Sequence, residues 1–416
     1  MTPRSEEFKA AISAIRERIA TAKRRAMHSG MIDYYGCIAV TNEWIHILEE
    51  AGKSAEHGEH TFAYSVAALI QINLAKLASS ADDSAGGITD ARSYVDDVLG
   101  KVCSGVDYGS ADAEFIFLQA IKDSQNKAFN GWDEFAYDLL QPIARLATAK
   151  TVGKLYAVLD EFNVKLLRKE YYSWHLESDC LARLAAITAV DGAEAAGKFI
   201  DSNLKYDGVR RIAIRNAIES GNYARAELLC RDKVNSSERD YHWTKEWYTL
   251  LFEVYERAGD NEKQAELAED LLVGKWDTHY YAVLKRLLTE KGAWDAKYPT
   301  LLAALGSRMP YNSYMYVLSK ENETRKLLEE VKKHPNCVFD YGKQLAAEYP
   351  SETYAICLDE IRKRAAEADN RIKYRKVYGI IKKLYGFGGV AEADGVIAEL
   401  KEKYPRRLAM IEELTP

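Results

Sequence analysis

Proline is scarce, with eight residues in 416. A chain so poor in the residue that breaks helices is free to be helical over most of its length. Pro142, Pro299, Pro310, Pro335, Pro350 and Pro405 read as breaks between apolar-periodic segments. Cysteine is thin as well: Cys37, Cys103, Cys180, Cys230, Cys337 and Cys357 never come closer than twenty residues. That spacing excludes a CxxC pair and a zinc-ligand set, and leaves buried free thiols in a reducing compartment as the expectation. No apolar run is read as reaching transmembrane length. The first thirty residues carry Arg16, Arg18, Lys23, Arg24 and Arg25 but no apolar segment of the secretory kind. A cytoplasmic location without membrane contact is expected.

Catalytic signatures are missing too. Neither GxxxxGK[ST] nor GxSxG occurs, so no catalytic residue is assigned and no cofactor is expected. Gly386–Ala391 superficially fits GxGxxA, the dinucleotide fingerprint. That fingerprint needs a preceding strand, whereas Tyr374, Val377, Tyr378, Ile381, Leu384 and Tyr385 have helical spacing, which predicts a helix-to-helix turn. His57 and His60 beside Glu56 and Glu59 are short of ligands for a metal site. Glu43 and His46 form a single ExxH, where a di-iron bundle needs two with further glutamates. No metal is assigned.

What is present is an ordinary folded composition, 47% hydrophobic and 29% charged, in a chain long enough for several domains or one array of repeats. The second half supplies the repeats. AIRNAIESGNYARAELLC (213–230), LLFEVYERAGDNEKQAELAEDLL (250–272) and VLKRLLTEKGAWDAKYPTLLAAL (283–305) each read helix, glycine turn, helix. Gly221, Gly259 and Gly292 are 38 and 33 residues apart, near the period of tetratricopeptide hairpins. Trp247, Leu250, Leu251, Val254, Tyr255 and Ala258 line one helical face. A lone hairpin cannot hide such a face, and stacking on neighbours buries it.

The first half predicts helices near 5–28, 31–52, 59–80, 88–103, 111–127, 131–148, 152–168 and 170–190. The fold class expected is therefore all-α: an α-solenoid of stacked antiparallel hairpins, winding as a right-handed superhelix. An irregular hairpin array over 1–190 runs on into tetratricopeptide-like repeats over 191–416.

MIDYYGCIAVTNEWIHILEE (31–50), DDSAG (82–86), YHWTKEWYTLLFEVYERAGDNEKQAELAEDLL (241–272) and the C-terminal YGIIKKLYGFGGVAEADGVIAELKEKYPRR together resemble one family. It is the helical region that follows the zinc finger in bacterial SWIM-type zinc-finger proteins. The resemblance covers about residues 30–415 and implies a tetratricopeptide-like solenoid that binds protein or nucleic acid. The finger itself, with its CxC and later CxH, is missing, so zinc binding does not carry over.

The expected function is a non-enzymatic scaffold holding an unidentified protein or peptide in its groove. Arg211 and Arg215, one turn apart on the first helix of a hairpin, face such a groove by analogy with tetratricopeptide stacks, and Tyr248 and Phe252 supply aromatic anchors. Nucleic acid is the rival partner. The net charge is −6, yet residues 1–30 hold seven Lys/Arg against three Asp/Glu and residues 360–407 hold thirteen against seven. Arg371, Arg375, Lys382 and Lys383 would carry that contact. An enzyme with a site assembled between helices is the third reading. The helix at 5–28, with Phe8, Ile12, Ile15 and Ile19 on one face, serves either as an end cap or as a homodimer contact.

Overall fold

A computed structural model describes residues 5–166, 173–236 and 241–415. Residues 167–172, where one predicted helix was to end and the next to begin, lie outside the described residues. The chain is all-α, an array of antiparallel helical hairpins about 82% helical. It divides into two compact units, Met1–Leu229 and Cys230–Pro416.

The first unit comprises α1 (Glu6–Ala26), α2 (Tyr34–Glu56), α3 (His60–Ala78), α4 (Gly87–Gly105), α5 (Ala111–Asp123), α6 (Asp133–Ile143), α7 (Val152–Leu166), α8 (Ser173–Val190), α9 (Gly192–Ser202) and α10 (Asp207–Glu219). The helix α11 (Tyr223–Ser236) carries the boundary. Seven predicted helices have counterparts within a few residues, and α8 accounts for the eighth. Three of these starts are set by side chains that satisfy otherwise orphaned N–H groups: Ser5 Oγ accepts from Phe8 N, Asp33 Oδ1 from Gly36 N and Ser110 Oγ from Ala113 N. The linker between α1 and α2 differs from the sequence reading. It is a two-residue antiparallel pair, β1 (Met27–His28) with β2 (Met31–Ile32), turned by Ser29 and Gly30, both at positive φ. The Ile32 backbone also bonds Ser80 and Asp82, which anchors the loop after α3.

Around α3 the first unit builds its core from Trp44, Tyr64, Ile70, Leu74, Leu99, Phe117 and Tyr137, all essentially inaccessible. By length and composition α3 is apolar enough to cross a membrane, contrary to the sequence reading that no segment approaches this. Here it is the unit's central helix. A helix apolar on all sides needs neighbours on all sides, and α2, α4 and α5 pack around it. The face of α1 bearing Phe8, Ile15 and Ile19 is buried, with Phe8 edge-on to Phe62 at 6.1 Å. It is used within the unit.

The second unit continues with α12 (Tyr241–Ala258), α13 (Asn261–Lys275), α14 (His279–Glu290), α15 (Trp294–Arg308), α16 (Tyr311–Lys320), α17 (Thr324–Lys333), α18 (Val338–Glu348), α19 (Pro350–Glu367), α20 (Arg371–Gly386), α21 (Val390–Lys403) and α22 (Leu408–Glu413). The turn glycines behave as predicted: Gly221, Gly259 and Gly292 have φ of 71°, 67° and 69°. In each, the next residue's N–H reaches back to the first helix, as Asp260 N does to Tyr255 O at 3.0 Å. The same bond closes α16 onto α17 through Glu323 N and Leu318 O, with Asn322 at φ 55° in the glycine's place. Asparagine tolerates the left-handed region, which is why a search for glycine passed over this hairpin.

The division between compact units falls at Leu229, because α9 and α10 pack on α8. One expectation is corrected by the packing. Pro142 and Pro299 lie inside α6 and α15 instead of between helices. Pro142 sits in the last turn of α6, where a 3-10 turn at Ala144–Leu146 takes over, and Pro299 forfeits one helical N–H without ending α15.

Candidate functional site

The fold builds its most structured concavity over α8, entirely within the first unit, with a volume of about 580 Å³. Leu181, Leu184, Ala185 and Thr188 of α8 form the floor. One wall is α6, through Asp138, Gln141 and Pro142, continued by Arg145 of the 3-10 turn that follows it, with Asp96 of α4 beside it. The opposite wall is α9, through Ala193, Ala196, Gly197 and Ile200, backed by Ile212 and Asn216 of α10. On α8 and α9 the four residues are spaced i, i+3, i+4, i+7, one face of two helical turns, and α6 with its 3-10 extension repeats that spacing. Three helices thus turn matching stripes toward one space.

The polar wall is held by a buried network. Gln71 of α3, fully buried, donates to Asp138 Oδ2 at 2.9 Å and to Phe135 O at 3.2 Å. Arg92 of α4 donates to the same carboxylate oxygen through Nε at 2.9 Å and Nη2 at 2.7 Å, and its guanidinium lies 4.5 Å over the Phe135 ring. Burial pushes the Asp138 carboxyl up, and Arg92 opposes that shift. Asp96 lacks such a clamp. Its side chain meets solvent, yet it stands inside a concave wall, and that enclosure together with the neighbouring Asp138 pushes it up to about 6. Just past α6, in the 3-10 turn, Arg145 is exposed, and no ion pair reaches it among the described residues. With Arg92 meeting Asp138 and Cys103 Sγ meeting Pro142 O at 3.3 Å, α4 and α6 run side by side in the same direction. The groove therefore carries a carboxylate at one end and a guanidinium about two turns, or ~10 Å, away.

The sequence-selected residues lie elsewhere or on its flank. Arg211, half-buried, and Arg215, exposed, stand on α10 beside the groove residues Ile212 and Asn216. Tyr248 and Phe252 belong to the second unit and are partly buried: Tyr248 lies 5.6 Å from Tyr241, and Phe252 5.1 Å from Tyr280 of α14. Phe252 packs its hairpin on the next, while the Tyr248 ring meets a neighbour on its own helix. The basic residues of α20 are compensated: Arg371 pairs with Glu412 and Glu413, Arg375 with Glu413 at 3.1 Å and Lys383 with Asp340 at 3.5 Å. Lys382 covers the Tyr378 ring at 4.6 Å. At the other end, Arg18 is held between Glu43 at 3.2 Å and Glu50 at 2.6 Å, and Arg24 pairs with Glu17 at 3.1 Å. Part of the charge excess visible in sequence is thus met by carboxylates folded against it.

Among the described residues no cluster of three or more His, Cys, Asp and Glu is placed to hold a metal ion. His57 Nδ1 bonds Lys53 O at 2.7 Å, Glu56 pairs with Lys101 at 2.6 Å, and the His60 ring packs over Gly105. Glu43 belongs to Arg18, while His46 contacts Glu49 at 3.1 Å. Gly386–Ala391 joins α20 to α21, a helix-to-helix turn with Gly388 at φ 95°. All six cysteines are free and buried, and burial raises Cys37, Cys103 and Cys357 to about 12, which makes them poor nucleophiles.

Other concavities are less organised. The cleft between α1 and α2, about 860 Å³, is floored by Ala14, Ala22, Ala26 and Ala39, and its Arg18 is already engaged. Sequence reasoning missed the groove residues Asp96, Asp138 and Arg145. One signal was there: Asp138 interrupts the apolar run FAYDLLQPI, where a carboxylate needs a reason. In comparisons with known proteins, no family model matches the sequence, and no curated protein or solved structure matches it.

Proposed function

We propose that the protein is a helical-repeat scaffold that binds a segment of another protein in the groove over α8. The observation that carries this reading is the convergence of three i, i+3, i+4, i+7 stripes on one unfilled space with an apolar floor and charged ends. Concave sites with a mostly apolar lining and a few placed polar groups are the usual form of a binding site in a helical array. The reading matches what the resemblance to the SWIM-associated helical region implies, a role in binding protein or nucleic acid.

A photoreactive residue placed at Thr188 tests it. Crosslinking in cells should yield a partner that disappears when Gly197→Trp fills the groove. Gly197 suits that purpose because a Cβ there meets nothing within 4 Å, so the indole enters open space. The same photoreactive residue placed at exposed Glu194, whose carboxylate bonds Lys198 away from the groove, serves as control. Equal crosslinking from both positions, unaffected by Gly197→Trp, would overturn the proposal.

A further inference from the structure

The shape and charge of the groove narrow its occupant. Its walls are two turns long and lie on either side of a helical floor, so the space has the dimensions of a face of one more packed helix. Small residues at Ala185, Ala193, Ala196 and Gly197 lower the floor and one wall, which lets a backbone approach closely where larger residues would hold it off. An extended peptide would instead call for unpaired backbone N–H and C=O groups along the wall, and intact helices have none to offer there. The ends differ in charge. Asp96 carries the acidic end, since the Asp138 carboxylate is already satisfied by Arg92 and Gln71, and Arg145 carries the basic end.

We infer that the groove receives one amphipathic α-helix of a partner protein, with apolar residues at i, i+3, i+4 and i+7, a lysine or arginine against Asp96 and a glutamate or aspartate against Arg145. The inference rests on the reading of this groove as the binding site. Oppositely charged partners about two turns apart fix the register of the incoming helix, and the apolar face supplies the affinity. Charge at Asp96 also makes the contact responsive to pH. The groups around it are Arg92 and Asp97 on its own helix, Asp138 on α6 and, along the same wall, Arg145 in the 3-10 turn after α6, while α8 presents no ionisable side chain to the groove. Protonating Asp96 removes the charge that a lysine would meet, so binding should weaken as pH falls through about 6.

The test is a selection from a phage-displayed library of 18-residue helices with a fixed apolar face and randomised flanking positions. Wild-type protein is the target, and excess soluble Gly197→Trp variant is the competitor. The expected result is enrichment of peptides carrying a basic and an acidic residue about seven positions apart. A synthetic enriched peptide should lose at least tenfold in affinity to Asp96→Asn, and the basic preference should vanish in a selection repeated on that variant. Arg145→Gln should do the same for the acidic preference. Circular dichroism melts verify that both variants remain folded. Enriched helices that lack the charge pair, or that bind Asp96→Asn as tightly as wild type, overturn the inference and leave the groove reading standing. A selection that enriches nothing competed differently by the Gly197→Trp variant overturns both.

Discussion

At Asp96 an enclosed carboxyl sits next to another carboxylate, and its titration feeds back on folding. The folded state raises this group to about 6, above its ordinary range, so native protein holds a proton that the unfolded chain has released. Stability from this group is therefore highest below pH 4 and is lost as pH rises through 6. Asp96→Asn removes the penalty: it should melt above wild type at pH 7 and level with it near pH 4. A variant that melts lower at pH 7 would show that Asp96 has a stabilising partner in the fold. The turn glycines make a second residue-scale case. Gly259→Ala puts a Cβ into the left-handed region and should cost about 1 kcal/mol by urea denaturation. Asn322→Gly, at a turn of the same geometry, should change little. Gly259, with its dipeptide Gly-Asp before a charged helix start, announced itself in the sequence. Asn322 did not, because asparagine is as common in loops that never adopt positive φ.

Helices were the legible scale. Periodic apolar residues and capping side chains fix where α2, α5 and α13 begin, and Asp260 Oδ1 accepting from Lys263 N at 3.1 Å shows the chemistry at work. What the sequence hides at this scale is which helix another one needs. Asp179 of α8 is buried and held by Asn163 of α7 at 3.1 Å and by Arg183 at 2.8 Å, and Arg183 also reaches Asp160 of α7 at 2.6 Å. The clamp ties α7 to the back of the groove floor, and nothing in the spacing of these residues distinguishes it from surface pairs. Arg183→Met would leave a buried carboxylate without its cation and should cost about 3 kcal/mol. Native-state hydrogen exchange should show the loss first in α7 and α8, while α3 keeps its protection. Uniform loss across the first unit would mean that α7 has no independent opening.

For the molecule as a whole, two compact units predict an unfolding reaction that is not two-state. Denaturant curves followed by far-ultraviolet dichroism should be broad or biphasic, with a slope smaller than a single cooperative transition of 416 residues requires. A single steep transition, coincident by dichroism and tryptophan fluorescence, would contradict this. The repeat period made the hairpins of the second unit readable, whereas the groove was not readable at all. It draws on Asp96, Asp138, Leu184, Ala196 and Asn216, five residues on five helices, and no local spacing links them. The division at Leu229 is hidden from the sequence for a related reason, since the packing of α9 and α10 on α8 is a property of faces that local periodicity cannot pair.

The six buried thiols have a use that their chemistry alone does not suggest. They are spread through α2, α4, α8, α11, the 3-10 turn at Pro335–Cys337 and α19, and all are shielded in the native state. Each can react with a solution reagent only when its own stretch of helix opens. Mass spectrometry of alkylated peptides over time would then read six separate clocks along one chain. The order in which they start would give the sequence in which the array comes apart.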